Sequence, residues 1–419
     1  MPSRLRAEQL DPEAQALLRG FNFATRRTVG RVPTVASMRR RWLLMSTLMA
    51  RRIPLPRVEN HRIAGPGGRL ALRLYRPVEV KEGEPRPLLL WFHGGGFVLG
   101  GLATADAICR HIAQRSGAVV ATVDYRLAPE HDLHAGRDDA LAALDWLQAN
   151  AAGLGIDPAR FALGGDSAGG NIAAALTQRL AARGNAVPRL QVLVYPATNL
   201  RDPFPSRDEN AKGYLLTADS IAWFDAQIGT RHANANAHSD DPLLSPALHG
   251  DLSALPPALV LSAGYDPIRD DGLAYAALLR EAGVPVQLLH YAGQFHGFLN
   301  FDAVLRAARD ALDRLGDALQ QALAVDATAS ATPDCTLEVG AALRSPAAFG
   351  ALGRDLLVGG FMAAEWMERS RNRMMSAFVP RAAMSSLPSA PPWALLATQL
   401  RERVASAYAP LEMRRTYSR

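Results

Sequence analysis

Ser167 stands in Gly164-Gly165-Asp166-Ser167-Ala168-Gly169-Gly170, between the apolar run Arg160-Phe161-Ala162-Leu163 and a helical pattern over residues 171–183. A serine hydroxyl is a poor nucleophile at neutral pH until a neutral imidazole takes its proton, so its chemistry depends on a base elsewhere in the chain. The local sequence supplies the geometry for such a nucleophile. A sharp strand-to-helix turn with strained backbone presents the hydroxyl at the carboxyl end of a sheet, as a nucleophile elbow. Gly165 and Gly169, two residues before and two after the serine, leave room for the backbone to reverse. The short pattern G-x-S-x-G gains its meaning from the strand before it and the helix after it.

A second signal is His93-Gly94-Gly95-Gly96-Phe97, which follows Pro87-Leu88-Leu89-Leu90-Trp91-Phe92, a continuous apolar run that reads as a buried parallel strand. Consecutive glycines free backbone N–H groups to point at a developing oxyanion and let a carbonyl approach closely. The alternative is a plain glycine turn, but the serine elbow follows about 70 residues later, a gap that fits strand–helix repeats. In this arrangement the residue after the nucleophile, Ala168, completes the hole. The candidate oxyanion residues are therefore Gly94, Gly95, Gly96 and Ala168, with Gly94 shaping the loop and the choice of donating glycines open.

A fold with such an elbow uses the order serine, then acid, then histidine. The strand pattern over residues 257–264 ends in a turn that delivers Asp266, and the next, over 284–291, delivers His296 in Gln294-Phe295-His296-Gly297-Phe298. A buried carboxylate would fix the imidazole tautomer and stabilise the imidazolium. Among ten histidines, His296 alone lies beyond the strand that follows the Asp266 loop. His93 reads as a loop-shaping residue and His290 as a packed or edge histidine. Asp270 and Asp271 are runner-up acids that look like N-terminal capping charges. Asp166, beside the nucleophile, points elsewhere and reads as half of a structural ion pair.

Together these residues resemble the hormone-sensitive-lipase family of α/β-hydrolases, the bacterial esterase group. His93 to Phe97 is similar to its oxyanion signature and Gly164 to Gly170 to its nucleophile box. Asp124-Tyr125-Arg126-Leu127-Ala128-Pro129-Glu130-His131, Glu209-Asn210 with Gly213-Tyr214-Leu215-Leu216-Thr217, Asp241-Pro242-Leu243-Leu244-Ser245-Pro246 and Asp266-Pro267-Ile268-Arg269-Asp270 also resemble family blocks. In order and spacing they span roughly residues 55–320.

The resemblance implies an α/β fold: an α/β-hydrolase with a mostly parallel, doubly wound sheet and a helical cap. It implies a serine carboxylic-ester hydrolase for short- to medium-chain esters that needs no cofactor and no metal. The alternatives are a deacetylase or amidase on a small acylated metabolite, and a ligand-binding relative without activity. Ser167, Asp266 and His296 are the candidate catalytic residues. Four aromatics beside these segments, Phe97, Tyr195, Tyr214 and Phe298, are the candidate substrate-binding residues.

Three parts follow. Residues 1–55 carry helical patterns over 12–28 and 36–53, implied to be cap helices. Residues 56–324 alternate strand and helix as a catalytic domain. Its strands are expected near residues 70–75, 88–93, 119–124, 161–165, 192–195, 259–263 and 286–291. A second cap segment over about 201–228 holds Phe204, Tyr214, Trp223 and Phe224, which read equally as cap packing or pocket lining. Residues 325–419 lie outside the resemblance and read as a small-residue linker followed by a mostly helical extension, with helical patterns over 350–378 and 394–408. All ten methionines lie at or before Met49 or at or after Met362. Methionine suits adaptable apolar surfaces, so the ends are expected to contact each other, a partner or a membrane surface, or to form a tail with no function.

Composition sets limits. With 419 residues, 48% hydrophobic and 21% charged, the chain is long enough for a large core. The net charge of +6 rests almost wholly on arginine, since lysine occurs only at Lys81 and Lys212, and no aromatic-interleaved basic motif accompanies it. Nucleic acid is therefore not an expected partner. Cys109 and Cys335 are too few for a disulfide framework and read as free thiols of a cytoplasmic protein. No signal-peptide core opens the sequence, and the apolar run over 42–50 is too short to span a bilayer. A small-molecule ester is the expected partner, and a homodimer is left open.

Overall fold

Leu88, Leu89, Leu90, Trp91 and Phe92 are each at most 1% exposed, and alternate residues belong to two separate core clusters. Leu89 and Trp91 join one, while Leu88, Leu90 and Phe92 join the other. A strand buried on both faces needs helices on both sides, the condition of a central parallel strand. The computed structural model describes residues 1–2, 4–25, 32–78, 84–229, 240–327, 332–340 and 412–417. It meets this condition with a ten-stranded sheet in the order β1-β2-β4-β3-β5-β6-β7-β8-β9-β10. The strands are β1 (Arg57–Gly65), β2 (Gly68–Arg76), β3 (Arg86–Phe92), β4 (Val119–Val123), β5 (Ile156–Asp166), β6 (Leu190–Val194), β7 (Ala258–Tyr265), β8 (Val286–Phe295), β9 (Cys335–Gly340) and β10 (Glu412–Tyr417).

From β4 through β9 every neighbouring pair is parallel. The hairpin β1–β2 closes one end and β10 the other, each antiparallel. The longer helices among the described residues are α1 (Pro12–Thr25), α2 (Val35–Leu48), α3 (Leu102–Ser116), α4 (Leu133–Ala149), α5 (Ala168–Ala182), α6 (Ala218–Gly229), α7 (Arg269–Glu281) and α8 (Arg306–Ala322). Side chains of α3 and α8 fill one core cluster, and those of α4, α5 and α7 fill the other. The chain leaves β3 toward β4 on one side and returns to β5 on the other. The crevice beyond the carboxyl ends of β3 and β5 is therefore a topological switch point, where such sheets bind ligands.

The seven expected strands are present. The expectation missed β1, because its Arg57, Glu59, Asn60, His61 and Arg62 give it no apolar stripe; only Ile63 is buried, as suits a charged edge strand. The described part of residues 325–419 departs further from the expected helices. Cys335–Gly340 is a strand that runs parallel to β8 from Gln287 to Tyr291 and buries Leu337 and Val339. Arg280 secures it, donating to Asp334, the Cys335 carbonyl and Thr336. A six-residue strand is too short to give a period that stands out within a linker. The helical patterns over 350–378 and 394–408 lie outside the described residues.

The N-terminal residues also do more than cap. Ala7 and Asp11 donate from their backbone to the carbonyls of Ala292 and Gly293, and the Tyr265 hydroxyl donates to the Ala7 carbonyl. The first turn of chain thus clamps the ends of β7 and β8.

A chain ended after residue 327 would leave the outer edge of β8 unpaired and uncover Leu337 and Val339 contacts worth roughly 1.5–3 kcal/mol each. Its melting temperature is expected to fall and its tendency to associate to rise, as read by scanning fluorimetry and light scattering. The folded fraction should keep at least about a tenth of the wild-type kcat on a small aryl ester, because no residue beyond His296 is assigned to the chemistry. An unchanged melting temperature would remove β9 from the load carried by the sheet.

Candidate active site

Ser167 follows directly on β5 and precedes α5, with φ 57° and ψ −119°. A non-glycine residue holds such a conformation only where its surroundings over-determine it. Here the turn is pinned by close packing. A Cβ on Gly169 would collide with the Phe92 carbonyl oxygen, and one on Gly165 with the Gly169 backbone. The Ser167 N–H donates to the Val194 carbonyl at 2.8 Å, tying the turn to β6.

Strand register delivers the remaining groups. Phe92 pairs with Gly165, so the loop after β3 starts beside Asp166. Tyr265 pairs with Phe295 across a register shift, so Asp266 and His296 leave neighbouring strands side by side. His296 Nε2 lies 2.9 Å from Ser167 Oγ, and His296 Nδ1 lies 2.7 Å from Asp266 Oδ2. Asp266 is fully buried, and its Oδ1 accepts from the Ile268 N–H at 2.8 Å. The second cap segment holds this loop from above. Asn210 Nδ2 donates to the Asp266 carbonyl, and Ser206 Oγ donates to the Pro267 carbonyl. At these distances the hydroxyl can give its proton to the imidazole, while the carboxylate orients the ring and stabilises the charge it gains.

Gly95, Gly96, Ser167, Ala168 and His296 line one cavity of about 390 Å³. Gly94 does not face it, because its N–H donates to Asp166 Oδ1 at 3.0 Å. This leaves Gly95, Gly96 and Ala168 as the candidate oxyanion donors. The ion pair expected for Asp166 is corrected in turn: its carboxylate accepts from that backbone amide instead. Burial pushes the Asp166 carboxyl up to about 6.

His93 lies under the loop, stacked on Tyr125 with ring centroids 4.2 Å apart. Its Nδ1 is 3.0 Å from the Gly94 carbonyl, and burial lowers its pKa to about 4, so the ring is neutral and walled off. His290, inside β8, sits between Ser262 Oγ and the Leu5 carbonyl. Both match the packing roles read from their positions.

Of the four candidate substrate-binding aromatics, Phe97 and Tyr195 line the cavity. Tyr214 does not: its ring packs edge-on against Tyr265 at 5.1 Å. Phe298 is fully buried behind Tyr195 and Tyr291. Phe298 adds its apolar area to the core, and half-buried Tyr214 packs against the edge of that core. Of the cap aromatics, Phe224 reaches the cavity, whereas Trp223 donates through Nε1 to the Pro33 carbonyl and joins the two cap pieces. Sequence reasoning missed the wall formed by α2. Met38, Trp42 and Met45 line the cavity at helical spacing, a period visible in the sequence but without a marker of what it faces.

Asp270 accepts from the Ser206 N–H at 3.0 Å and pairs with Arg269 at 2.7 Å, beside the cap. Asp271 is more than a capping charge. It is 1% exposed and accepts from the Asn199 N–H, and burial raises its carboxyl to about 8. Among the described residues, no group of three His, Cys, Asp or Glu side chains is placed to hold a metal ion. No helix among them is long and apolar enough to cross a membrane.

An elbow serine at a switch point, beside a glycine loop, defines an enzyme of the α/β-hydrolase class. The chain belongs to the alpha/beta hydrolase fold family, which matches residues 89–300, and within it to the hormone-sensitive-lipase-like bacterial esterases. It is 40% identical over 265 residues to the esterase LipI of Mycobacterium tuberculosis, covering 62% of this chain and 81% of that protein. It is 42% identical over 258 residues to the ethyl acetate hydrolase of Pseudomonas putida, covering 61% and 80%. Among solved structures, the hyperthermophilic esterase of Pyrobaculum calidifontis superposes with a TM-score of 0.68 at 40% identity, over 74% of this chain and 98% of that one. These relatives make the protein a carboxylesterase.

Asp271→Asn is expected to show a pH signature. A carboxyl raised from 3.8 to about 8 contributes stability that is full below the unfolded value and is lost as pH rises through the folded one. Melting temperatures of wild type and variant should therefore diverge in favour of the variant from pH 5 to 8 and run parallel above that. A gap independent of pH would show that Asp271 is ionised in the folded protein throughout.

Proposed function

We propose that the protein hydrolyses short- to medium-chain carboxylic esters through Ser167, His296 and Asp266. The observation that carries this reading is the continuous row from Ser167 Oγ through His296 to Asp266, at 2.9 and 2.7 Å, opening into the cavity. A carboxylate only accepts, so Nδ1 of His296 carries the proton and Nε2 is free to take one. Ser167 Oγ attacks the ester carbonyl while Nε2 takes its proton. The N–H groups of Gly95, Gly96 and Ala168, which line the same cavity, are the donors for the tetrahedral oxyanion in this reading, and Asp266 stabilises the imidazolium. His296 then returns the proton to the leaving alkoxide. Water, deprotonated by the same imidazole, releases the acid from the acyl-enzyme.

Two buried free thiols, Cys109 and Cys335, support a reducing, cytoplasmic setting for this activity. The cavity supports the substrate range: its volume, near the low end for small-molecule sites, suits a butyryl or hexanoyl group.

Ser167→Ala is expected to lower kcat by orders of magnitude with the circular dichroism spectrum unchanged, the residue of activity being about 10³–10⁴ over water. Near-normal turnover in pure protein would exclude this nucleophile. Butyrate and hexanoate aryl esters should turn over faster than palmitate esters, with no rate jump at a lipid interface. Preference for emulsified long-chain triglyceride would overturn the size assignment.

A further inference from the structure

The Gly94–Leu99 loop, which carries the proposed oxyanion donors, is held from outside at three points. Asp166 takes the Gly94 N–H, and the Ala128 N–H donates to the Phe97 carbonyl at 2.9 Å. The third holder comes from the N-terminal cap. Arg39, on α2, donates through Nε to the Val98 carbonyl at 2.8 Å. Its Nη2 donates to the Ala128 carbonyl at 3.0 Å, and Nη1 and Nη2 grip the Glu130 carboxylate at 2.8 and 2.7 Å. One planar fork thus joins the cap helix, the glycine loop and the segment that braces it.

Inside the loop, the N–H groups of Val98 and Leu99 both donate to the Gly95 carbonyl, at 3.1 and 2.8 Å. A displacement of Val98 is therefore passed straight to the peptide units that carry the donors. Apolar packing runs along the same line. Met38 and Trp42 of α2, with Phe224 of α6, pack on the cluster of Val98, Leu99 and Ala128. Those same three side chains line the cavity.

We infer that Arg39 is a positioning residue of the esterase: it makes docking of the N-terminal cap helix a condition for the donor geometry of the oxyanion loop. Cap closure over an ester and alignment of the hole are then one event. The inference rests on the proposed reading of Ser167 and the loop. The ion pair with Glu130 is about half exposed at the carboxylate and a third exposed at the arginine, and such pairs add little to stability, so its removal leaves the fold standing. Position is another matter, since a 1 Å misplacement of groups around a reacting centre can cost about 100-fold in rate. Lysine keeps the charge but lacks the fork that serves Val98, Ala128 and Glu130 together.

The test uses the full chain, with p-nitrophenyl butyrate as substrate and butylboronic acid as a probe that places a tetrahedral oxygen in the hole. Arg39→Gln is expected to lower kcat by about tenfold to 100-fold and to weaken the boronate in parallel, while KM stays within about threefold. Arg39→Lys should recover only part of the loss. Unchanged kcat, full rescue by lysine, or a loss carried wholly by KM would each overturn the positioning role. Should Arg39→Gln fail to fold, Arg39→Lys, which keeps the charge but not the fork on Val98 and Ala128, decides: a fall in kcat at constant KM supports the role and unchanged kcat overturns it. Ser167→Ala is measured beside them. Activity there would sink the nucleophile assignment, whereas a dead Ser167→Ala with a fully active Arg39→Gln would sink the positioning role alone.

Discussion

The backbone at Ser167 is held in a conformation that a free chain would leave, with φ at 57° and ψ at −119°. What holds it is the near contact of two strands and a helix start, so close that no side chain fits at Gly165 or Gly169. This contact sets the distance between β3, β5 and α5 and brings the glycine loop against the elbow. The loop's own first amide is tied to Asp166, the residue that ends β5. Ser167 and the glycine loop are thus parts of one packed unit rather than two features that happen to be near each other.

Around that unit several polar side chains bond to backbone carbonyls. Tyr125 donates to the His93 carbonyl, Asn171 to the carbonyls of Ala197 and Leu244, and Arg137 to those of Leu133 and Leu243. Arg137 also lies over the Phe97 ring, its charge buried and its pKa lowered to about 10 by that burial. Such bonds fix the position of the loops they reach, since buried polar groups are stable only when partnered. The blocks around Asp124, Glu209 and Asp241 each supply a hydrogen-bond partner near the site.

The two cap pieces reach the site differently. The segment that opens with Ser206 and Asn210 holds the Asp266 loop by hydrogen bonds, and so bears on Asp266 and His296. The N-terminal helix α2 packs on Val98 and Leu99 and so bears on the glycine loop. The chain's first residues clamp β8 just before His296.

The sequence by itself marked out Ser167, Asp266, His296 and the glycine loop, because each stands as a particular residue type within a few positions of a strand end. It marked the seven strands from β2 to β8 as well, since burial on both faces writes apolar runs in the inner strands and β2, near the sheet edge, alternates. Only the tertiary structure decided which aromatics reach the cavity. Phe97 and Tyr195 do, while Tyr214 and Phe298 turn away, since side-chain direction follows from what else must be covered. The same holds for Asp166 and Asp271, whose partners are backbone amides that carry no mark in the sequence. The strand Cys335–Gly340 was hidden for a related reason: the hydrogen-bonding edge of β8 that accepts it exists only once the sheet has formed.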